Sequence, residues 1–279
     1  MFSNFLIGLR EGLEAALIVG ILVAYLVKVG RTEHMRAVWV GVGIAVAVSL
    51  GFVAVLELTS NSLSSEAEEA FAGIMSLITV GFLTWMIFWM RKTSRTLKTE
   101  LHGKMDAALD IGGGALATLA ALAVGREGLE TALFLWTNDQ ASGAASHPAL
   151  GGLLGILVAV LIGYLIYRRA INFNLSTFFK ITGVLLIVVA AGVLSYAIHE
   201  FQELGWLPGE DALALDISSW FDGGSWYGSV LRGLFNFTPV LSVLQVVGWF
   251  AYLIPTMVLF FRPSAVKPAA PTPATTVAA

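Results

Sequence analysis

The chain has 279 residues, 57% of them hydrophobic and only 13% charged, with a mean hydropathy of +0.81 and a formal net charge of −3. A soluble domain carries about 25% charged residues, so the composition excludes one; several runs reach the roughly 20 apolar residues that cross a hydrocarbon core, and runs of that length exclude a β-barrel of short alternating strands. Cysteine is absent, which removes disulfides, thiolate metal sites and thiol catalysis together and argues against a soft-metal transporter.

In chain order, the first apolar segment spans about Ser3 to Val29, with Ser3 or Asn4 available to cap its start. It lacks a basic n-region, and Arg10, Glu11 and Glu14 interrupt its apolar run, so it stays as a membrane helix instead of a cleaved signal peptide. Segments two and three span about Ala37 to Leu58 and Phe71 to Met90. Segment four, about Ile111 to Thr137, opens on Gly112-Gly113-Gly114; segments five and six cover about Leu150 to Tyr167 and Phe178 to Ile198. Segment seven spans about Pro239 to Phe261, with Pro239 suited to the first helical turn and Pro255 to a kink. Trp39, Trp85, Trp89 and Trp136 sit near segment ends, as interfacial anchors do. Met86 and Met90 read as packing residues, and His34, His102 and His147 as loop residues.

Thirteen of the sixteen lysines and arginines fall on one side when connections alternate, from Lys28, Arg31 and Arg36 through Arg91 to Lys104 and on to Arg262 and Lys267. By the positive-inside rule that side is cytoplasmic, which predicts seven helices with the N-terminus outside and the C-terminus inside. The opposite side carries eleven carboxylates against Arg232 alone, enough to concentrate cations at an outer mouth.

One five-residue word occurs twice, as Arg10-Glu11-Gly12-Leu13-Glu14 in segment one and Arg126-Glu127-Gly128-Leu129-Glu130 in segment four. On a helix, Arg10, Glu14 and Glu11 fall at about 0°, 40° and 100°, so the charges share one face. A charge at the bilayer centre costs about 2.5–3.5 kcal/mol, and six unpaired charges would cost about 15–20 kcal/mol, unless they meet. Each word opens a group of three helices. Because three is odd, the second group is inserted upside down, an inverted-topology repeat with its site at the repeat interface. The predicted fold is therefore all-α and polytopic: residues 1–92 as a first three-helix repeat and 109–200 as a second, inverted one. Residues 201–238 form an outer loop with an interfacial piece near Trp226 to Phe237, 239–262 the seventh helix, and 263–279 a disordered cytoplasmic tail.

Glu11, Glu14, Glu127 and Glu130 from two antiparallel helices would surround one axis with hard oxygen ligands, suited to iron, manganese, magnesium or calcium. Arg10 and Arg126 lie one turn from Glu14 and Glu130 and can hold those carboxylates through charge-assisted hydrogen bonds. Gly12 and Gly128, with Ala15, Ala16 and Ala132, would let the two helices approach closely. An ion-pair network that merely locks two helices is the structural alternative; recurrence of the word in an inverted repeat argues against it.

The chain resembles the iron permease family, fungal high-affinity permeases that work with a multicopper ferroxidase and bacterial permeases of three-part iron-uptake systems. The hallmark is R-E-x-x-E in the first and fourth membrane helices, and both copies are intact. The resemblance implies a non-enzymatic permease of the cell membrane that imports iron, with Glu11, Glu14, Glu127 and Glu130 as its metal site and Arg10 and Arg126 orienting them. It implies no permanently bound cofactor, and oxidase or iron-binding proteins outside the cytoplasm as partners; the chain lives in the lipid bilayer and has no nucleic-acid partner. Family members carry outer E-x-x-E pairs, matched here by Glu66 with Glu69 and by Glu200 with Glu203 beside His199, so these and Glu57 are candidates to receive metal. Other cations such as manganese or lead remain possible cargo. A di-metal carboxylate enzyme is disfavoured, because such sites pair Glu with Glu-x-x-His and neither Glu14 nor Glu130 is histidine.

Overall fold

The computed structural model describes residues 2–60, 62–93, 97–142, 148–168, 174–217 and 239–262. Within them lie eight α-helices: α1 (Phe2–Val29), α2 (Met35–Ser60), α3 (Ser65–Thr93), α4 (Leu97–Ile111), α5 (Gly113–Ser142), α6 (Pro148–Tyr167), α7 (Leu175–Glu203) and α8 (Val243–Phe261). A 3-10 turn at Thr32–His34 joins α1 to α2, and strand β1 (Leu213–Asp216) pairs antiparallel with β2 (Val240–Ser242) ahead of α8. Helices α1, α2, α3, α6, α7 and α8 are long and apolar enough to cross a membrane. The protein is an all-α polytopic membrane protein. At 1.5 Å per residue, the 30-residue α5 runs about 45 Å, also longer than a hydrocarbon core of about 30 Å.

Helix α5 lies among α1, α2, α3 and α4. The principal pairings are α1 with α6, α2 with α5, α3 with α7 and α1 with α5, while α8 leans on α7. Apolar side chains face outward along the flanking helices, such as Val40, Ile44 and Leu50 on α2, Leu153, Leu157 and Leu161 on α6, and Ile254 and Val258 on α8. In water these would be a liability; in lipid they are the solvated surface. One core cluster joins Ile7, Leu83, Met86, Ile87, Met90, Phe134, Leu186 and Phe260, and confirms Met86 and Met90 as packing residues. A second joins Ile18, Leu22 and Leu26 of α1 to Leu116, Ala120 and Val124 of α5, with Leu101, Met105 and Ala108 of α4 against them.

Several expectations change. Helix α1 begins at Phe2, so Ser3 and Asn4 do not cap it; they sit inside the helix, buried, and bond to Asn138. Helix α4 occupies what the sequence suggested was a loop. Among the described side chains, Leu101, Met105 and Ala108 mark its buried stripe, set among Glu100, Lys104, Asp106 and Asp110. His102 is therefore helical, and its ring lies 4.6 Å from that of Tyr25, whose hydroxyl bonds Asp106. Gly112 alone separates α4 from α5, at a φ of +123° that disfavours any side chain. Pro239 is not in the first turn of the last helix. Ser242 caps α8 instead, in a capping box: its hydroxyl accepts from the Gln245 amide, and the Gln245 side chain accepts from the Ser242 amide. The helix continues through Pro255. The proposed interfacial piece near Trp226 to Phe237, the tail 263–279, and His147 lie outside the described residues.

Candidate metal site

Helices α1 and α5 run antiparallel with residue numbers that sum to about 141. Asn138 meets Ser3 and Asn4 near one end, and Glu127 meets Glu11 and Glu14 at the middle. The two repeated words therefore face each other. A carboxylate oxygen from each of Glu11, Glu14 and Glu127 lies within 4.8 Å of the other two. Among the described residues this is the only such grouping of three or more acidic or histidine side chains. All three are buried, Glu11 at 0% exposure.

The arginines hold the second glutamate of each word. Arg10 Nε donates to Glu14 Oε1 at 3.2 Å and stands 3.9 Å from Glu11 Oε1; Arg126 Nε donates to Glu130 Oε1 at 2.8 Å. Both carboxylate oxygens of Glu11, and Oε2 of Glu127 and of Glu130, have no N–H or hydroxyl donor among the described residues, while the carboxyl groups of Glu11 and Glu127 lie within hydrogen-bonding reach of each other. A buried carboxylate left so costs several kcal/mol, and a cation held by the triplet would satisfy those of Glu11 and Glu127 at once.

The halves are not equivalent. Arg10 is sealed at 1% exposure, whereas the Arg126 side chain is 33% and that of Glu130 11% exposed. Arg126 and Glu130 border a cleft of about 760 Å³ between α2, α3 and α5, otherwise lined by apolar groups such as Ile44, Phe52 and Phe82. Glu130 stands outside the 4.8 Å triplet, so the four-carboxylate ring expected from sequence is three converging carboxylates and one turned to its arginine. The Arg126 guanidinium carbon lies 4.3 Å from the ring centre of Trp89 and 5.2 Å from that of Trp85. Trp85 and Trp89, expected only as interfacial anchors, thus flank the site. Their i,i+4 spacing was the available signal. Trp136 is buried, edge-on to Phe71 at 5.5 Å, and only Trp39 of the four is more than half exposed apart from Trp85.

The glycines of the words do not separate α1 from α5. A side chain at Gly12 would meet Ala159 and Ile156 of α6, and one at Gly128 would meet Ser49 of α2. Each glycine thus packs away from the α1–α5 contact, Gly12 on α6 and Gly128 on α2. Of the outer candidates, Glu69 of α3 and Glu200 and Glu203 of α7 come close enough to interact electrostatically, with Glu68 beside them; His199 Nε2 lies 3.2 Å from Glu203 Oε1. Glu66 is exposed at the start of α3, and Glu57 is exposed near the end of α2. Sequence reasoning overlooked Glu68, whose carboxylate accepts from Ser60 at 3.3 Å.

The model of the iron permease FTR1 family matches residues 1–269. The chain belongs to the iron permease FTR1 family. Among curated relatives, the ferrous iron permease EfeU of Escherichia coli O6:H1 (strain CFT073) is 41% identical over 266 residues, covering 94% of this chain and 96% of the relative. The ferrous iron permease EfeU of Shigella sonnei (strain Ss046) is 41% identical over 266 residues with the same coverage, and that of Yersinia pestis 39% over 267 residues, covering 94% of each. No solved structure matches the chain significantly. Membership in a permease family makes this a multi-pass transporter of the cell membrane and not an enzyme.

Proposed function

We propose that the chain imports ferrous iron across the cell membrane through the carboxylates that α1 and α5 bring together. The observation that carries this is Glu11, fully buried, with no N–H or hydroxyl donor to either oxygen among the described residues and with Glu14 and the carboxyl group of Glu127 in reach. Four glutamates and two arginines sum formally to −2, which a divalent ion neutralises. The relatives named ferrous iron permeases agree with that charge. Arg10 and Arg126 fix Glu14 and Glu130, so that the ion finds ligands already oriented.

The path runs from outside to inside over seven spanning helices, α1 to α3, α5 to α7 and α8, with the N-terminus outside; the basic residues of the α4 region support that orientation. An inverted repeat of α1–α3 and α5–α7 is supported by the crossed pairing of α1 with α6 and α2 with α5, and by the matching neighbours of Gly12 and Gly128. Metal gathers at outer carboxylates including Glu69, Glu200 and Glu203, handed over by an extracytoplasmic oxidase or iron-binding partner, and no cofactor stays bound. From the triplet it leaves inward, where the apolar contacts of Leu22 and Leu26 with Leu116 and Ala120 must part. Uptake of radioactive ferrous iron into proteoliposomes tests this, with manganese as competitor. Transport by the wild type, lost in Glu14→Ala and Glu127→Ala and untouched by excess manganese, is the expected result. Equal transport by wild type and variants would return the words to a structural role, and inhibition by manganese would change the cargo.

A further inference from the structure

The contact between α1 and α5 has two unlike halves. Inward of the carboxylates it is apolar, as described. Outward it is polar: Asn4 and Ser3 on α1 lie seven and eleven positions before Glu11 and Glu14, and Asn138 on α5 lies eleven after Glu127, while Thr137, seven after Glu130, meets α3 next to this contact. Both spacings return to the same helical face, about 10–16 Å further out. Asn138 Nδ2 donates to Ser3 Oγ at 2.8 Å and to Asn4 Oδ1, and Thr137 and Thr79 of α3 share a hydrogen bond of 2.9 Å. Ser76 lies one turn further out on α3. Each of these six residues is at most 4% exposed.

Polar side chains that only fasten helices together would serve both halves of a repeat. Yet the positions 116 residues away, the spacing of the two words, are Leu119, Ala120, Ile21 and Leu22. Nor is the polar layer self-satisfied. Ser76 Oγ and Asn4 Nδ2 have no hydrogen-bond partner among the described residues. A fully buried hydroxyl without a partner, one turn from a bonded threonine pair, holds no helices together.

We propose that Ser3, Asn4, Ser76, Thr79, Thr137 and Asn138 form an uncharged, oxygen-lined vestibule that takes a partly dehydrated divalent cation before the carboxylates receive it. Hydroxyl and amide oxygens replace part of a hard ion's hydration shell without the deep well that converging carboxylates create, so the ion can move on. The vestibule rests on the carboxylate route proposed above and adds a separate site to it.

The test is ferrous-iron flux in proteoliposomes, normalised to folded protein, for Ser76→Ala, Thr137→Val and Thr137→Ser. Ser76→Ala breaks no hydrogen bond among the described residues, so a merely structural layer predicts unchanged KM, kcat and thermal stability. The vestibule predicts a KM raised about threefold to tenfold in Ser76→Ala and Thr137→Val, with kcat within about twofold and near-normal KM in Thr137→Ser. Unchanged KM in Ser76→Ala, beside a wild type that transports and a Glu14→Ala that does not, overturns the vestibule alone. A wild type that moves no ferrous iron overturns the proposed function and the vestibule with it.

Discussion

Glu11→Gln separates the energetic cost of the site from its use. The wild-type carboxylate is wholly buried, its nearest guanidinium nitrogen is 3.9 Å away, and neither oxygen has an N–H or hydroxyl donor among the described residues. Glutamine keeps the shape, removes the charge and offers an amide N–H to Glu14 or Glu127. Relief of an unsatisfied buried charge is worth about 1–3 kcal/mol, which for a chain of this size raises Tm by about 2–10 °C. Intrinsic tryptophan fluorescence during heating of the detergent-solubilised, chelator-treated protein reads that shift. The same variant loses iron transport, and added ferrous iron raises the Tm of the wild type but not of the variant. A Glu11→Gln protein that is less stable than the wild type and still transports would refute this reasoning.

Arg10→Lys replaces a planar fork, buried and bonded to Glu14, by a point charge that cannot hold the same geometry; uptake falls by about tenfold or more, measured as initial rate per folded protein. Trp89→Leu removes the nearer ring beneath the Arg126 guanidinium, a contact worth about 1–2 kcal/mol, so transport drops about fivefold to thirtyfold with little change in membrane abundance. At Gly155 a side chain would fall on the Phe5 carbonyl and the Leu9 amide of α1. Gly155→Leu therefore separates α1 from α6 at a cost of about 3 kcal/mol, seen as lost monodispersity in size-exclusion chromatography, whereas Gly20→Ala, with open space around it, changes nothing.

The membrane helices were legible because each is marked by a long apolar run, and the helical phase of Arg10, Glu11 and Glu14 already puts their charges on one face. Helix α4 was not legible, because Leu101, Met105 and Ala108 make too short a stripe among charged neighbours to stand out from a loop. The start of α1 was misjudged for a related reason. Ser3 and Asn4 are good capping residues, and nothing local tells a capping serine from one whose partner, Asn138, is 135 residues away. Phase alone also cannot say that Glu130 turns to Arg126 and leaves three carboxylates converging, nor that Gly12 and Gly128 serve α6 and α2. Those outcomes depend on which helices flank the pair. Trp85 and Trp89 show the same limit: their spacing puts both on one face of α3, but only the packing of α3 beside α5 brings Arg126 over them.

The most direct test of the central claim is the position of iron itself, from anomalous diffraction at the iron edge on protein crystallised with ferrous iron under reducing conditions. A peak between α1 and α5, within about 2.5 Å of oxygens of Glu11, Glu14 and Glu127 and absent in Glu14→Ala, is the predicted result. Iron found only at the carboxylates of α3 and α7, with none between the two words, would contradict it.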